Sequence, residues 1–332
     1  MIIEAQAATR IDLAGGTVDI WPLYLFHEQA QTVNFAIDQY ARCRLETRAD
    51  QRFVLESRDR GLRTEAASLN ELRDDRVLSL VSKLIYYFRP ETGLHVVTDC
   101  MAPGGSGLAG SSALNIALCA ALNDLTGRGF TREQLPFIAA NVESQVLGVP
   151  AGYQDYFPAV YGGVSNVRLR VEGVTREAID TDIDELESRV ALCFTGEPHD
   201  SGINNWEMFK AHIDRAPGIY DKFERICGTA VKIEQALTAR AFDQIGAIFA
   251  EEWASRRDLV PGISTAEIDR LIDIARRHGA EAAKVCGAGG GGCVAFYCAA
   301  GRRHDVEAAL AAAGGQVIPY RIAREGVKVT RS

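Results

Sequence analysis

The amino-acid sequence predicts an α+β fold divided into two domains. Strand-like segments fill residues 2–57, helical patterns dominate residues 78–147, and a strand-helix-strand pattern closes the chain. Strands and helices that occur in separate runs are typical of α+β architectures. The chain has 332 residues, which is enough for roughly two domains of about 150 residues each. We place the boundary near residue 165, which gives domains 1–165 and 166–332.

In the N-terminal half, short apolar and alternating segments predict strands. These segments are Ile2–Leu13, Thr32–Ile37, Ala41–Thr47, Arg52–Ser57 and His95–Thr98. Apolar residues at helical spacing predict three helices. They cover Leu78–Phe88, Leu114–Leu125 and Thr131–Leu147, and we expect Thr131 to cap the last one.

In the C-terminal half, the same signals predict a second group of elements. Strands are expected at Val164–Val171 and Val190–Phe194, and a helical stretch broken by Pro217 runs over 205–274. The last three segments predict strand, helix and strand. They are Cys293–Cys298, His304–Ala313 and Val317–Ile322.

The charge balance excludes a general binder of nucleic acid or of anionic membranes. The chain has 36 Lys and Arg residues against 44 Asp and Glu residues, a net charge of −8, whereas such binders need a basic excess. The uncharged stretch Cys100–Asn123 begins with Gly, Ser and Pro, and an exposed glycine backbone would lack partners in lipid. We therefore expect neither nucleic acid nor a membrane as a partner.

The cysteines predict a reducing environment. None of the eight cysteines forms a Cys-x-x-Cys pair, and most lie in apolar segments, which is typical of buried free thiols. The first twelve residues contain Glu4 and no apolar segment of the length found in signal peptides. We expect a cytoplasmic protein.

The run Pro103–Ala113 predicts an anion site. It contains four glycines and three serines, and a good helix-forming segment follows it. Small residues free the backbone N–H groups of such a loop, and the N-terminus of the helix adds a positive partial charge. The sequence therefore predicts that this segment holds the phosphates of a nucleotide.

Two further glycine-rich elements, Arg10–Asp19 and Lys284–Cys293, flank this run in the chain. The last one contains a Gly-x-Gly-x-x-Gly match, but an apolar strand follows it where a dinucleotide-binding fold needs a helix. The chain has no Gly-Lys dipeptide, which excludes a P-loop. The three glycine-rich elements resemble the three motifs of the GHMP kinase superfamily. They occur in the same order, and the middle element has the pattern Pro-x-x-x-Gly-Leu-x-x-Ser-x-Ala.

This resemblance implies both a fold and a reaction. Galactokinase, homoserine kinase, mevalonate kinase and phosphomevalonate kinase belong to that superfamily. Its members have an N-terminal half that resembles domain 2 of ribosomal protein S5 and a ferredoxin-like C-terminal half. They use ATP, with Mg²⁺, to phosphorylate a small molecule. Within the superfamily, the chain looks most like sugar kinases of the heptose 7-phosphate type, which act at the anomeric hydroxyl.

Two segments support that narrower resemblance. Arg10–Asp19 is similar to the R-x-x-x-A-G-G-G-T-D of those kinases, and Glu143 with Gly152–Gly163 is similar to their E…G-x-Q-D-x-Y…G-G. By resemblance, Asp155 is the base that takes the proton of the attacking hydroxyl. Arg10 stabilises charge that develops on the substrate oxygen, and Glu143 and Ser111 hold Mg²⁺.

The resemblance also assigns the phosphate cradle and the substrate contacts. The expected cradle consists of Pro103, Gly104, Gly105, Ser106, Gly107, Leu108, Ala109, Gly110, Ser111 and Ser112. The expected substrate contacts are Asp19, Gly16, Thr17, Gln154, Gly289 and Gly290.

The chain departs from the family pattern at two places. Thr17-Val18 stands where the heptose kinases have Gly-Thr, so the flexible backbone of the glycine and the hydroxyl of the threonine have exchanged places. This change leaves the identity of the sugar open. Gly110 stands where many relatives have the Mg²⁺-binding serine, so Ser111 takes that role with Ser112 as the alternative. The cluster Arg256-Arg257-Asp258 predicts a solvated helix face, and contact of the basic pair with a sugar phosphate is the alternative.

The sequence thus predicts an ATP- and Mg²⁺-dependent kinase that acts on a sugar or sugar phosphate, as a monomer or homodimer. A heptose 7-phosphate-type acceptor is the main hypothesis. Glucuronate, fucose, galactose and a mevalonate-like alcohol are the alternative acceptors. A non-catalytic ATP-binding sensor is the alternative function.

Overall fold

The computed structural model describes residues 1–198 and 201–332 and contains two β-sheets. The strands are, in chain order, β1 (Ile2–Ala14), β2 (Gln31–Thr47), β3 (Phe53–Ser57), β4 (Leu62–Ala66), β5 (Leu94–Cys100), β6 (Val164–Arg170), β7 (Gly173–Ala178), β8 (Val190–Phe194), β9 (Ala280–Val285), β10 (Cys293–Cys298), β11 (Gln316–Val317) and β12 (Lys328–Arg331). The large sheet contains β1 to β7 and β12, and the small sheet contains β8 to β11.

The helices pack against the sheets. They are α1 (Leu69–Leu72), α2 (Ser79–Phe88), α3 (Gly110–Thr126), α4 (Leu135–Leu147), α5 (Tyr156–Tyr161), α6 (Ile183–Arg189), α7 (Ser201–Ile213), α8 (Ile219–Thr238), α9 (Phe242–Arg256), α10 (Ala266–Arg277) and α11 (Arg303–Ala312). A 3₁₀ turn over Leu23–Phe26 precedes β2.

The long strand β2 organises the large sheet. One edge of β2 pairs with β1, while its two ends pair with different strands on the other edge. Its first part, Gln31–Phe35, pairs with β6, and its last part, Ala41–Thr47, pairs with β5. A register shift in the β1–β2 pair separates these two parts, and such a bulge bends the strand. Two segments that the sequence predicts separately therefore form one bent strand.

The small sheet confirms the ferredoxin-like topology. Its strand order is β11-β8-β10-β9 and its pairs are antiparallel. With α7 to α10 between β8 and β9, and α11 between β10 and β11, the chain order is β-α-β-β-α-β, the split βαβ arrangement. The α+β fold with an N-terminal and a ferredoxin-like C-terminal half is therefore confirmed.

Segments from both ends of the C-terminal half join the large sheet. Both β6 and β7 belong to the large sheet, and β12 returns to it by pairing with β1. By sheet membership, residues 164–178 and 328–331 thus go with the N-terminal half. The division into 1–165 and 166–332 stays a prediction about domains.

Two local expectations were wrong. The helix expected to start at Thr131 begins at Leu135, after a turn, because Pro136 has no N–H to donate to the turn before it. The strand expected over Val317–Ile322 is limited to Gln316–Val317, with Ile322 bridged separately to Ile37. Strands β4, β7, β9 and β12 were not predicted.

Hydrophobic cores lie on either side of β1 and β2. One joins the large sheet to α2, α3 and α4 through residues such as Leu45, Leu84 and Ile116. Another joins β1 and β2 to α8, α9 and the small sheet through Phe35 and Phe249. The second core fixes the C-terminal half against the strand that bears Arg10 and Asp12.

A buried histidine pair also connects the halves. The Nε2 atoms of His27 and His212 lie 2.9 Å apart, and His27 Nδ1 lies 2.5 Å from Glu224 Oε1. A proton on His27 Nδ1 makes its Nε2 an acceptor, so His212 Nε2–H donates to it. Burial, and then His27, lowers the pKa of His212 to about 4.

We expect this pair to make stability depend on pH. The pKa of His212 in the folded protein lies below its unfolded value of 6.5, so the contribution is present above pH 6.5 and is lost as the pH falls towards 4. Between pH 7.5 and pH 5, wild type should lose about 1 to 2 kcal/mol more than His212→Gln. Urea unfolding at both pH values measures this difference, and equal losses would contradict it.

Candidate active site

A cavity of about 630 Å³ lies between the two halves of the molecule. The part of its wall that belongs to the N-terminal half consists of the glycine-rich run, the start of α3, β1 and the end of α4. The C-terminal half contributes Arg256, Gly287 and Ala288. Predicted site residues on the wall are Arg10, Thr17, Asp19, Pro103, Gly104, Gly105, Ser106, Gly107, Ala109, Gly110, Ser111, Ser112, Glu143, Gln154 and Asp155. The structure thus brings most of the predicted site into one place.

The glycine-rich run forms a loop that ends in the first turn of α3. Gly105, Gly107 and Ala109 have φ values of 67°, 75° and 64°, which is the left-handed region. The chain can therefore turn tightly before α3 begins at Gly110 and place the N-terminus of that helix on the cavity. Leu108 is an exception within the expected cradle, since its side chain is buried and its carbonyl accepts a hydrogen bond from Arg10 N.

Arg10 and Asp155 form an ion pair on the cavity wall. Arg10 Nε and Nη2 lie 2.8 Å and 2.6 Å from Asp155 Oδ1, and Arg10 Nη1 donates to Gly107 O at 2.6 Å. The guanidinium is buried, whereas the Asp155 side chain is 26% exposed. Burial alone lowers the pKa of Arg10, but the charges of Asp155 and Asp12 outweigh it and raise that pKa. The pair leaves one carboxylate oxygen of Asp155 free of Arg10.

Glu143 lies beside the first turn of α3. Its Oε1 accepts from Ser111 Oγ at 2.8 Å, and its Oε2 accepts from Ser112 Oγ at 3.2 Å and from the Tyr156 hydroxyl at 2.7 Å. Burial raises the pKa of Glu143, and the hydrogen bonds from Tyr156 and Ser111 oppose this. The two predicted metal ligands, Glu143 and Ser111, are thus in direct contact at the cavity.

Asp19 also lines the cavity, and it is more buried than Asp155. Its Oδ2 accepts from Gln154 N at 2.8 Å, and burial, followed by the charge of Asp155, raises its pKa to about 7. A Cβ at position 152 would lie 2.2 Å from Asp19 Oδ2, so a larger residue there would displace the Asp19 carboxylate. The Oε1 atom of Gln154 has no hydrogen-bond partner within the described part of the chain. Asp19 and Gln154 therefore contribute polar groups to the cavity wall.

Thr17 has a strained backbone at the place where the chain departs from the heptose kinase motif. Its φ is 78°, which is unfavourable for a β-branched residue. Its Oγ1 is buried and unpaired as far as the described residues show. The relatives' glycine would have adopted this conformation freely, so the exchange of Gly-Thr for Thr-Val has a conformational cost.

Three other expected substrate contacts do not lie on the cavity wall. Gly16 packs behind it, where a Cβ would meet Arg256 Nη1 and Asp12 Oδ2, each at 2.6 Å. Gly290 N donates to Ile263 O, and a Cβ on Gly289 would lie 2.7 Å from the Ile263 side chain. Gly287 and Ala288, earlier in the same loop, line the cavity instead.

A buried charge cluster behind the cavity was missed by sequence reasoning. Lys284 Nζ donates to Asp12 Oδ2 at 3.0 Å and to Glu252 Oε1 at 2.6 Å. All three side chains have no solvent exposure. A charged residue inside an apolar strand, as at Asp12 and Lys284, is the signal that predicts such a cluster.

The expectation of a solvated face at Arg256-Arg257-Asp258 was wrong for its first residue. The side chain of Arg256 is 1% exposed, whereas that of Arg257 is 41% exposed. Arg256 takes part in the cluster and lines the cavity. Asn205 also lines the cavity, and Arg60 is a polar wall residue that the sequence did not indicate.

Comparison with known proteins agrees with the fold and the glycine-rich elements. Residues 76–163 match the model of the GHMP kinases N terminal domain, and residues 233–316 match the model of the GHMP kinases C terminal domain. The chain belongs to the GHMP kinases. Members of this family are ATP-dependent kinases, which agrees with a phosphate cradle beside a carboxylate.

Individual relatives of this GHMP kinase cover its whole length. It is 27% identical to a D-glycero-alpha-D-manno-heptose 7-phosphate kinase of Campylobacter jejuni, over 99% of each chain. Among solved structures, a D-glycero-D-manno-heptose 1-phosphate kinase from Bacteriodes thetaiotaomicron aligns with a TM-score of 0.81, 24% identity and 99% coverage of each chain. A Lactococcus lactis galactokinase complexed with galactose aligns with a TM-score of 0.77 and 18% identity, over 100% of this chain and 95% of its own. These two structures support the fold.

No group of three or more His, Cys, Asp or Glu side chains within 1–198 and 201–332 is arranged to hold a metal ion. None of the helices in those ranges combines the length and apolar character needed to cross a bilayer.

The strain at Thr17 leads to a prediction about stability. Thr17→Gly should raise the free energy of unfolding by about 1 kcal/mol, because a left-handed β-branched residue costs roughly 1 to 3 kcal/mol and glycine's flexibility in the unfolded chain offsets part of the gain. Gly15→Ala should strongly destabilise the protein, because its Cβ would lie 2.1 Å from Gln31 O. Urea unfolding of both variants is the measurement. A destabilised Thr17→Gly would show that no strain is stored there.

Proposed function

We propose that this GHMP kinase transfers the γ-phosphate of ATP to a hydroxyl of a sugar or sugar phosphate of the heptose 7-phosphate type. The observation that carries the proposal is the Asp155 carboxylate, held by Arg10 at 2.6 Å on the cavity that the glycine-rich loop also lines. The full-length similarity to a heptose 7-phosphate kinase supports the choice of acceptor. The polar atoms of Asp19 and Gln154 on the same wall suit a polyhydroxylated acceptor.

Asp155 acts as the general base in this proposal. It accepts the proton of the acceptor hydroxyl while that oxygen forms a bond to the γ-phosphorus and the bond to the bridging oxygen of ADP breaks. Phosphoryl transfer requires little covalent work from the protein, so positioning and charge stabilisation dominate. Arg10 fixes the Asp155 carboxylate through two contacts to Oδ1 and keeps a positive charge beside the reacting oxygen.

The residues at the start of α3 are suited to Mg²⁺. Ser111 Oγ and Glu143 Oε1 lie 2.8 Å apart beside the cavity, and hard oxygen donors are what Mg²⁺ prefers. A site with one carboxylate agrees with Mg²⁺ that is bound mainly through phosphates and water. When bound, the ion would neutralise charge on the ATP phosphates. Tyr156 and Ser112 keep the Glu143 carboxylate oriented from behind.

Several further features stay predictions. The sugar and the hydroxyl that is attacked, the cytoplasmic location and the monomeric or dimeric state belong to this group. The expected contacts of substrate with Gly16, Gly289 and Gly290 belong to it as well.

The acceptor and the base are tested together by coupled ADP release. Wild type should be most efficient with a heptose 7-phosphate in a panel that also contains free heptose, fucose, galactose, glucuronate and mevalonate. Asp155→Asn should lower kcat at least about 10- to 100-fold, because it removes the proton acceptor, and should leave ATP affinity unchanged.

The exposed Asp74 provides the control for that experiment, since Asp74→Asn should behave as wild type. Full turnover by Asp155→Asn would reject its role as the base. Stabilisation by ATP without turnover of any acceptor would favour the non-catalytic sensor.

The metal ligands are tested through the dependence of the rate on Mg²⁺ concentration. Ser111→Ala and Glu143→Gln should each raise the Mg²⁺ concentration for half-maximal rate at least about 10-fold, since the first removes the hydroxyl ligand and the second replaces the carboxylate ligand by a neutral amide. Ser112→Ala is the matched control and should raise it less. A larger effect at Ser112 than at Ser111 would assign the ligand to the second serine.

A further inference from the structure

Arg256 is a buried arginine whose side chain reaches the cavity. It occupies the last position of α9, its side chain is 1% exposed, and it forms part of the cavity wall. Arginines are almost never fully buried unless they are paired. The partners of this guanidinium therefore indicate what it does.

Protein groups satisfy only one side of the guanidinium. Arg256 Nη2 donates to Gly287 O at 2.5 Å. Arg256 Nη1 lies 3.6 Å from Asp12 Oδ2 and 3.8 Å from Glu252 Oε1, which is beyond hydrogen-bond distance. Neither Nη1 nor Nε of Arg256 has a hydrogen-bond partner in the described ranges.

The nearby carboxylates form hydrogen bonds with Lys284 and not with Arg256. The Lys284 ammonium lies closer to Asp12 and Glu252, at 3.0 Å and 2.6 Å, than the guanidinium does. The two carboxylates are thus hydrogen-bonded to the lysine. A buried donor without a partner costs about 1 to 3 kcal/mol, and more when it is charged, so the free donors of Arg256 favour a bound acceptor group.

Arg256 lies beside the part of the first glycine-rich element expected to face the substrate. A Cβ on Gly16 would lie 2.6 Å from Arg256 Nη1, so the bare backbone at position 16 makes room for the guanidinium. Thr17 and Asp19, which follow in the chain, are on the cavity wall with Arg256. This places Arg256 with the acceptor contacts.

We propose that Arg256 binds an anionic group of the acceptor, a phosphate or carboxylate, and thereby selects charged sugars over neutral ones. This inference rests on the proposed function and adds a specificity residue to it. The planar guanidinium presents paired N–H donors that match the oxygens of such a group. Gly287 O accepts a hydrogen bond from Nη2 of the arginine, and Gly16 leaves space beside Nη1.

The test compares charged and neutral acceptors in wild type and three variants. Arg256→Lys keeps the positive charge but lacks the paired N–H donors of the guanidinium, and Arg256→Gln removes the charge. Arg257→Gln changes the exposed neighbour and serves as the matched control. Steady-state ADP release is measured with heptose 7-phosphate, free heptose, glucuronate and galactose. Thermal unfolding of each variant reports on folding.

We expect wild type to prefer heptose 7-phosphate or glucuronate over the neutral sugars, and the preferred one identifies the anion. Arg256→Gln should lower kcat/KM for the charged acceptor roughly 10- to 100-fold, mainly through KM, because hydrogen bonds to charged groups are worth that much. It should change the values for neutral sugars much less. Arg256→Lys should retain part of the preference, and Arg257→Gln all of it.

Two results would overturn the inference alone. One is equal efficiency of wild type with charged and neutral sugars, which requires no variant to fold. The other is an equal loss for both acceptor classes in Arg256→Gln, which would indicate a general structural or transition-state role. Failure of wild type to turn over any sugar would instead reject the proposed function, and this inference with it.

Discussion

The contact between Lys284 and the carboxylates Asp12 and Glu252 is the interaction on which the site depends. It joins β1 of the large sheet to β9 and α9 of the C-terminal half, with all three side chains excluded from solvent. Loss of one member of such a buried cluster typically costs about 3 to 5 kcal/mol, because the remaining charge is left unpaired. The cluster therefore fixes how the two halves meet. Glu252 Oε2 also accepts from Gly15 N at 3.2 Å, which anchors the first glycine-rich element to the same point.

The reacting groups take their positions from this anchor. Arg10 and Asp12 lie two positions apart on β1, so their side chains point to the same face of the strand. Asp12 faces the lysine while Arg10 faces Asp155 and the glycine-rich loop. Asp12 has a lowered pKa, because Lys284, Arg256 and Arg10 together outweigh the effect of burial, whereas burial dominates at Glu252 and raises its pKa. Charges of both signs thus alternate from the inter-half anchor to the base.

Sequence reasoning predicted the parts of this arrangement that are local in the chain. The run Pro103–Ala113 showed a loop before a helix through its own glycines and serines, and the resemblance placed Glu143 and Asp155 beside it. What it missed depends on contacts between distant segments. The turn of Gly289 and Gly290 towards Ile263, and the return of β12 to β1, are set by packing between the halves. No property of those residues alone distinguishes these contacts from an ordinary loop or tail.

The burial of Arg256 was indicated by its spacing in the helix, but the charged triplet that it begins outweighed this signal. Taken as a charged triplet, Arg256-Arg257-Asp258 is typical of a solvated surface. Along α9, however, the buried positions include 242, 245, 249, 252 and 256, which lie three or four residues apart. That spacing defines one face of a helix, and it places Glu252 and Arg256 on the face that begins with Phe242, Ile245 and Phe249. An acidic and a basic residue that continue an apolar stripe are inward-facing by position. Because the stripe ends at the cavity, the last of its members is the one that can meet a ligand.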